Sequence, residues 1–440
     1  MTGVMRNSVL FAGMLGLLVI VGFMQSWSVA FAILNLCLIS SVMALGVNIQ
    51  WGYAGLFNAG IMGFAALGGV AAVLVSVAPV GDAWAAGGTG VLITLLIMVI
   101  TISASVLTYR HLYSGRGRSG FGLFLIILIV VFGYFLARLF YDPAVAAIEA
   151  VEPAKTGFLG GLGLPILFSW IVGGALAAGV AWVVGKIALG LRSDYLAIAT
   201  LGISEIIIAI LRNEDWLTRG VKNVNGLPRP VAFEVDIQQS PYYQELAANL
   251  GMSVIEFSSL YVKLSYAGLF LIVLLIVLYL SETALRSPWG RMMRAIRDNE
   301  TAANAMGKNV TGRRLQAFVL GSAVVGLAGA MLTTLDGQFT PSSYQPLRFT
   351  FLIWIMVIVG GSGNNFGAIL GGFIVWFAWV QAEPLGLWLI ETITAGLDDQ
   401  SDLKQHLLQN AQQMRLVTMG LILLLVLRFS PQGLIPERNR

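Results

Sequence analysis

The sequence predicts an all-α membrane protein, a single transmembrane domain over residues 1–440 with about 10–12 membrane-spanning helices. Hydrophobic residues make up 57% of the chain and charged residues only 11%, whereas a soluble domain carries about 25% charged residues. Apolar runs recur along the whole chain, and many have about the 20-residue length that crosses a bilayer as a helix. The 51 glycines fit this class, because small residues let membrane helices approach closely.

About twelve apolar stretches are candidate spans, separated by polar or turn-forming residues. The first stretch has an alternative interpretation as a cleaved signal peptide, since Ala30 and Ala32 provide a small-residue site after it. We interpret it as a membrane span. The candidate spans cover about residues 8–24, 29–49, 56–77, 91–109, 121–140, 165–189, 194–211, 266–280, 315–335, 349–360, 366–380 and 414–427.

Loop charge predicts the orientation. Basic residues gather near residues 110–118, 186–192, 286–314 and 428–440. With about twelve spans and the N-terminus inside, all of these fall on the cytoplasmic side, as the positive-inside rule requires. The acid-leaning segments then fall outside. Residues 212–265 and 383–413 are the two longest of them, and the first is predicted to be a folded cap with a short helix near 242–250.

The most basic segment is the loop at residues 281–314, between the eighth and ninth spans. Its stretch from Arg291 to Met306 lacks Pro and Gly, and Gly307 offers a helix stop. One short amphipathic helix is therefore predicted. The residues expected on its apolar face are Met292, Ile296, Ala303 and Met306.

The charge order in this predicted helix opposes the helix macrodipole. Arg291, Arg294 and Arg297 come first, and Asp298 and Glu300 follow, although the dipole favours the reverse. Helix stability alone does not explain that order. A surface for an anionic lipid leaflet or an acidic partner protein does; the alternative is that the arginines only fix the topology.

Several chemistries lack the residues that they need. Cys37 is the only cysteine, and His111 and His406 lie in different loops without partners at metal-ligand spacing. No GxxxxGK[ST] motif occurs, so no P-loop for ATP is present. No nucleophile and base stand in a useful arrangement. We therefore expect no catalytic residues, no metal site, no cofactor bound by this chain and no nucleic-acid partner.

Polar residues interrupt the apolar pattern at two places. Asn48, Gln50, Tyr53 and Asn58 flank a short link between two spans, where irregular backbone is expected. They are candidates for a substrate path or, equally, for a tight polar turn. Glu205 lies about ten residues into its span, roughly 15 Å along a helix. A carboxylate there is costly, which favours a path-lining role over packing alone.

A polar glycine-rich link joins the tenth and eleventh candidate spans. Gly360, Gly361, Gly363 and Asn364 predict a tight helical-hairpin turn with close packing.

Four stretches resemble permease subunits of branched-chain amino acid ABC importers. They read GYAGLFNAGIMGF, LRSDYLAIATLGISEI, GRMMRAIRDNETAANAMGKNVTGRRLQAFVLGSAVVGLAGAM and IVGGSGNNFGAILGG. Together they cover most of the chain in the family's order. The chain resembles the longer of the two permease subunits.

The resemblance implies a role for the basic loop. In such importers a cytoplasmic helix marked by an E-A-A-x-x-x-G pattern docks on the ATPase. Glu300, Ala302, Ala303 and Gly307 approximate that pattern here, with Thr301 interrupting it. Arg291, Arg294, Arg297 and Asp298 then belong to the same coupling surface.

The resemblance also implies an assembly in the bacterial inner membrane. Its parts are a second homologous permease, two ATP-binding cassette subunits that hold ATP and Mg, and a periplasmic substrate-binding protein. Transport of urea, amides or other amino acids by the same machine is an alternative. A third possibility is an ATP-independent secondary transporter that uses Glu205 for ion coupling.

Overall fold

The computed structural model describes residues 3–113, 120–153, 155–396, 398 and 401–437. Across these ranges, ten helices are long and apolar enough to cross a membrane, and two shorter apolar helices join them. This confirms the predicted polytopic all-α fold. Four basic residues of the predicted inner loops lie outside the described residues: Arg116, Arg118, Arg438 and Arg440.

The twelve apolar helices follow the order of the candidate spans. In chain order they are α1 (Gly3–Met24), α2 (Trp27–Asn48), α3 (Ile61–Ser76), α4 (Thr89–Thr108), α5 (Gly120–Glu149), α6 (Leu167–Ala188), α7 (Ser193–Asn213), α8 (Val254–Arg286), α9 (Val310–Asp336), α10 (Pro346–Gly360), α11 (Asn365–Ile393) and α12 (Met414–Phe429). A helical run, Gly81–Ala83 and the π-helical Trp84–Gly88, leads into α4.

Three helices extend well beyond the apolar runs that predicted them. Helix α5 continues to Glu149, α8 already begins at Val254, and α11 passes Pro384 to end at Ile393. Apolar runs mark the stretch that lies in lipid, and a helix keeps its backbone bonds beyond that stretch. The predicted segments at 212–265 and 383–413 are therefore partly helical extensions of spans.

The segment between α7 and α8 folds into a small cap. It contains the helices Asp215–Thr218, Glu234–Gln239 and Pro241–Asn249, the last of which matches the short helix predicted near 242–250. Strand β1 (Val224–Asn225) pairs antiparallel with β2 (Gln338–Phe339), which follows α9. This pairing joins the cap to the α9–α10 link, and we call that side of the bundle the cap end.

The opposite side of the bundle gathers the N-terminal, loop and C-terminal segments. Arg6, Arg286, Arg294, Gly363 and Glu437 line one open cavity of about 840 Å³ there. We call this side the basic end. The grouping agrees with the parity of the predicted topology, since all of these residues belong to segments expected on one face of the membrane.

Glycines let α9 touch three other helices backbone to backbone. A Cβ atom on Gly68 of α3 would lie 1.7 Å from the carbonyl oxygen of Gly326, and one on Gly329 would lie 2.0 Å from that of Ala65. A Cβ on Gly326 would lie 2.6 Å from the carbonyl oxygen of Gly173 in α6. Such contacts exclude any side chain, so α9 forms the centre of a close-packed block.

Substituting one of these glycines should destabilise the block. We expect Gly329→Ala to lower the free energy of unfolding by about 1–3 kcal/mol, the usual cost of overpacking. Gly179→Ala in α6 is the matched control, because a Cβ there meets nothing within 4 Å. Thermal unfolding of the purified proteins in detergent measures both. Equal melting temperatures would contradict the backbone contact.

Candidate coupling surface and translocation path

The basic loop contains two helices, which we call the first loop helix (Pro288–Asp298) and the second loop helix (Glu300–Ala305). The prediction of one helix from Arg291 to Met306 is therefore wrong. Asn299 adopts an extended conformation, and its side chain accepts a hydrogen bond of 2.9 Å from the Ala302 amide. An asparagine that caps a new helix in this way ends the preceding one. Gly307, at φ +71°, follows the second loop helix as predicted.

The break changes the apolar face of the loop. Met293, Ile296 and Ala303 are buried against the bundle, and Met292 is partly buried and packs on the same core. Three of the four predicted residues therefore take the expected position. Met306 is 77% exposed and does not. The reason is the new direction of the second loop helix, which ends the 3.6-residue periodicity at Asn299.

Arg297 turns inward and binds its own chain. It donates a hydrogen bond to the Gly52 carbonyl oxygen and forms an ion pair of 2.9 Å with Glu437 and one of 3.2 Å with Asp298. Its Cγ lies 3.2 Å from where a Cβ on Gly55 would be, and Gly55 has φ +65°. Arg297 therefore fastens the first loop helix to the bundle.

Apart from the buried Ala303, the other predicted coupling residues face outward or towards the open cavity. Arg294 and Arg291 line that cavity at the basic end. Arg314 Nη1 donates hydrogen bonds of 2.9 Å to both carboxylate oxygens of Glu300. The exposed members of the predicted set are Arg291, Asp298, Glu300, Ala302 and Gly307.

The polar segment after α2 has the irregular backbone that the sequence predicts. Helix α2 continues as a π-helical turn, Ile49–Tyr53, and residues 55–60 are not helical before α3 starts. Asn48, Gln50, Tyr53 and Asn58 are all almost completely buried. Buried polar groups must find partners within the protein.

Asn365, the first residue of α11, is one centre of the hydrogen bonds that these buried side chains make. Its Oδ1 accepts hydrogen bonds from Asn48 Nδ2 at 3.1 Å and from the Tyr53 hydroxyl. Its Nδ2 donates to Glu282 Oε1 of α8 at 3.0 Å. The Gly363 amide donates to Asn48 Oδ1 at 2.8 Å. Three segments distant in sequence, the end of α2, α8 and the start of α11, thus meet at one amide side chain.

Gln50 is the second centre. Its Nε2 donates at 2.9 Å to both the Phe318 carbonyl and Ser322 Oγ of α9, and its Oε1 accepts from Asn58 Nδ2 at 2.9 Å. The Asn58 Oδ1 accepts from the Gly60 amide at 2.8 Å. The contacts of Asn48, Tyr53 and Asn58 are therefore those of a packed polar junction.

The glycine link between α10 and α11 closes this junction. Gly361 and Gly363 have φ of 117° and 81°, and Asn364 Oδ1 accepts from the Phe366 and Gly367 amides as the cap of α11. A Cβ on Gly360 would lie 1.9 Å from the Gly367 carbonyl oxygen. The link has the geometry of the predicted tight, closely packed turn.

Glu205 lies on a different surface. It is the thirteenth residue of the 21 in α7 and is exposed on the isolated chain, whereas its neighbour Ser204 is buried against Gly63 of α3. An exposed carboxylate at this depth is not stable against lipid. This face of α7 must therefore meet protein or water in the membrane.

Sequence reasoning missed Glu282, Asn365 and Glu437 as junction residues. Asn365 and Glu282 carried a usable signal, since each is a polar residue at the inner edge of a span and such residues seek protein partners. No sequence signal marked Glu437, because it reaches Arg297 only through the fold of the C-terminal segment.

A family model described as the branched-chain amino acid transport system / permease component matches residues 129–427. Among curated proteins, the chain is 26% identical over 266 residues, 60% of its length, to the high-affinity branched-chain amino acid transport system permease protein LivM of Salmonella typhimurium. It is also 26% identical over 282 residues, 63% of its length, to the probable LivM permease protein of Methanocaldococcus jannaschii and covers 70% of that relative. The probable LivH permease of that organism is 27% identical over 49% of this chain and 60% of its own length.

The chain covers 56% of the length of the Salmonella relative. No solved structure matches. The family match extends over more than half of the chain and includes the loop helices, α9 and the glycine link. The protein therefore belongs to the family of branched-chain amino acid transport system permease components.

Proposed function

We propose that this chain is one permease subunit of an ATP-driven importer of branched-chain amino acids. Family membership and the functions that the names of the LivM relatives state support the transport role and the substrate class. The chain itself performs no covalent chemistry in this proposal. ATP and Mg are bound by separate ATPase subunits, and the membrane is the bacterial inner membrane with both termini in the cytoplasm.

The observation that carries the proposal is the attachment of the loop to the bundle through Arg297. One side chain joins the first loop helix to the π-helical turn at Gly52 and to the C-terminal segment at Glu437. Gly52 in turn lies against Asn48, since a Cβ there would come within 2.2 Å of Asn48 Oδ1. A displacement of the loop therefore reaches the polar junction and the four segments that meet there.

The exposed face of the loop is the proposed ATPase contact. Its exposed charged groups, which include Arg291, Asp298 and Glu300, lie at the surface where a partner groove can reach them. Met293, Ile296 and Ala303 hold the other face against the bundle. When the ATPases close on ATP, this surface moves with them, and the permease changes the side to which its path opens. Arg297 transmits the motion and does not itself touch the ATPase.

The α7 face with Glu205 is the proposed contact with a second, homologous permease or the wall of the path between the two. A protein or water environment removes the cost of a carboxylate against lipid. The LivH relative, similar in sequence to this chain, represents the kind of partner expected. The cap end then receives the periplasmic binding protein.

A sugar is the second candidate substrate. The xylose transport system permease protein XylH of Escherichia coli is 25% identical over 53% of this chain. Uptake of radiolabelled leucine, urea and xylose by cells that express the complete importer separates the candidates. ATP-dependent leucine uptake is the expected result. Uptake of xylose or urea alone would contradict the amino-acid assignment, and uptake of leucine that persists without the ATPases would favour a secondary transporter.

Charge reversal on the exposed loop face should weaken assembly. We expect Arg291→Glu to reduce the amount of ATPase that co-purifies with the permease, because a partner groove complementary to arginine repels a carboxylate. Arg192→Glu is the control, as it reverses an exposed charge at another predicted inner edge. Equal recovery of ATPase with both variants would place the contact elsewhere.

Loss of the Arg297 attachment should uncouple an assembled complex. Arg297→Ala is expected to retain co-purifying ATPase and ATP hydrolysis but to lower leucine uptake about 2- to 30-fold, the range for residues that carry coupling. Glu437→Gln, which keeps the size of the partner and removes its charge, should show a smaller loss. Loss of the ATPase from the Arg297→Ala complex would mean that Arg297 is a docking residue.

Glu205 should be needed for transport and not for the stability of the single chain. We expect Glu205→Gln to lower leucine uptake, whereas Glu256→Gln, an exposed carboxylate at the cap end, leaves it unchanged. Uptake kinetics and permease–permease cross-linking are the measurements. Wild-type uptake kinetics in Glu205→Gln would show that Glu205 has only a packing role.

A further inference from the structure

A cavity of about 250 Å³ opens at the cap end of the bundle, away from the polar junction. Its deep walls are apolar and include Ile39 and Met43 of α2 and Leu352, Ile353 and Met356 of α10, all at most 5% exposed. Its rim contains Gln338 of β2 and Ser343, both exposed. The volume equals that of roughly eight molecules of liquid water, which suits one small solute.

Two polar atoms in the cavity wall have no partner in the described structure. Thr340 Oγ1 and Trp376 Nε1 are buried and make no hydrogen bond. The neighbouring Tyr344 differs, because its hydroxyl bonds Thr333 Oγ1 at 2.7 Å and burial raises the pKa of that hydroxyl. Buried donors are rarely left unpaired without a reason. Two unpaired donors beside one cavity indicate a ligand with acceptor atoms.

One formal charge lines the same cavity. Asp336, the last residue of α9, contributes a carboxylate, and the lining includes no Lys, Arg or His. Asp336 is also exposed, as Gln338 and Ser343 at the rim are. A carboxylate that shares a small, mostly apolar cavity with no cationic lining residue attracts a cationic group.

We propose that this cavity is a transient binding site for a zwitterionic amino acid with a branched apolar side chain. The ammonium group meets Asp336, the carboxylate accepts from Thr340 and Trp376, and the side chain lies against α2 and α10. The proposal deepens the proposed function and rests on it for the identity of the solute as cargo. It adds a site within one permease chain, separate from the Glu205 face.

The place of the cavity fits a solute that arrives from the cap side. Strand β2 forms part of the rim and pairs with β1 of the cap, at Asn225 with Gln338 and Val224 with Phe339. The cap segment is thus bonded directly to the rim. A binding protein that contacts the cap is able to change the width of this mouth.

Binding of leucine and two fragments of leucine tests the site. The protein is the permease pair in nanodiscs, and the probes are leucine, isopentylamine, which lacks the carboxylate, and isocaproate, which lacks the ammonium. Saturation-transfer NMR suits weak, transient binding. We expect leucine to bind most tightly, isopentylamine next, and isocaproate least, since its carboxylate is repelled by Asp336.

Variants identify the groups. Asp336→Asn should weaken leucine and isopentylamine about tenfold, as one charge-assisted contact is lost, and should not weaken isocaproate. Trp376→Phe should weaken leucine and spare isopentylamine. Leu352→Trp should exclude all three probes by filling the cavity. The matched controls are Asp402→Asn and Trp388→Phe, both exposed positions outside the cavity lining.

The outcomes separate the two proposals. If isocaproate binds as tightly as leucine, or Asp336→Asn leaves leucine binding unchanged, the cavity is an apolar slot for a lipid tail and the inference is overturned. If Asp336-dependent leucine binding is found but the complete importer takes up no branched-chain amino acid, the cavity stands and the proposed function fails. If the complete importer takes up branched-chain amino acids but Asp336-dependent leucine binding is not found, the proposed function stands and the inference about the cavity is overturned.

Discussion

The structure depends on the need to hydrogen-bond polar groups that lipid cannot solvate. Helix α2 unwinds at its inner end, and the freed side chains find partners only by bringing α8, α9 and the α10–α11 link to the same place. Asn365 and Gln50 hold these segments together. Removing either amide would leave several buried groups without partners, at about 1–3 kcal/mol each. The junction therefore defines how the basic end of the bundle is assembled.

The basic loop is an extension of this junction. Its arginines divide into two kinds: Arg297 binds the bundle, whereas Arg291 and Arg294 remain at the surface and the open cavity. The charge order that opposes the macrodipole has an explanation in this division, because an arginine near the end of the first loop helix reaches Gly52 and Glu437. Asn299 then turns the chain so that the second loop helix presents its own exposed face.

The sequence was sufficient to predict the class, the approximate spans, the irregular backbone after α2, the helix in the cap and the tight glycine link. These follow from local patterns of hydrophobicity and turn residues. The break at Asn299 was missed because a mid-helix asparagine and a capping asparagine look alike without their surroundings. The partner that Asn48 and Tyr53 share, Asn365, lies some 300 residues away in sequence, and no local pattern shows it. The cavity at Asp336 likewise arises from five helices, α2, α3, α9, α10 and α11, and from the link between α9 and α10.

Helix α9 connects the two ends of the molecule. It begins at Val310, just after the loop, and ends at Asp336 in the wall of the cavity. Its 27 residues span about 40 Å and contain no proline. Because Gly68, Gly326 and Gly329 place its backbone directly against its neighbours, α9 has no room to slide or bend alone. If α9 tilts as a rigid body, a tilt of about 3° at the basic end displaces Asp336 by about 2 Å over that length, close to the difference between a formed and a broken hydrogen bond.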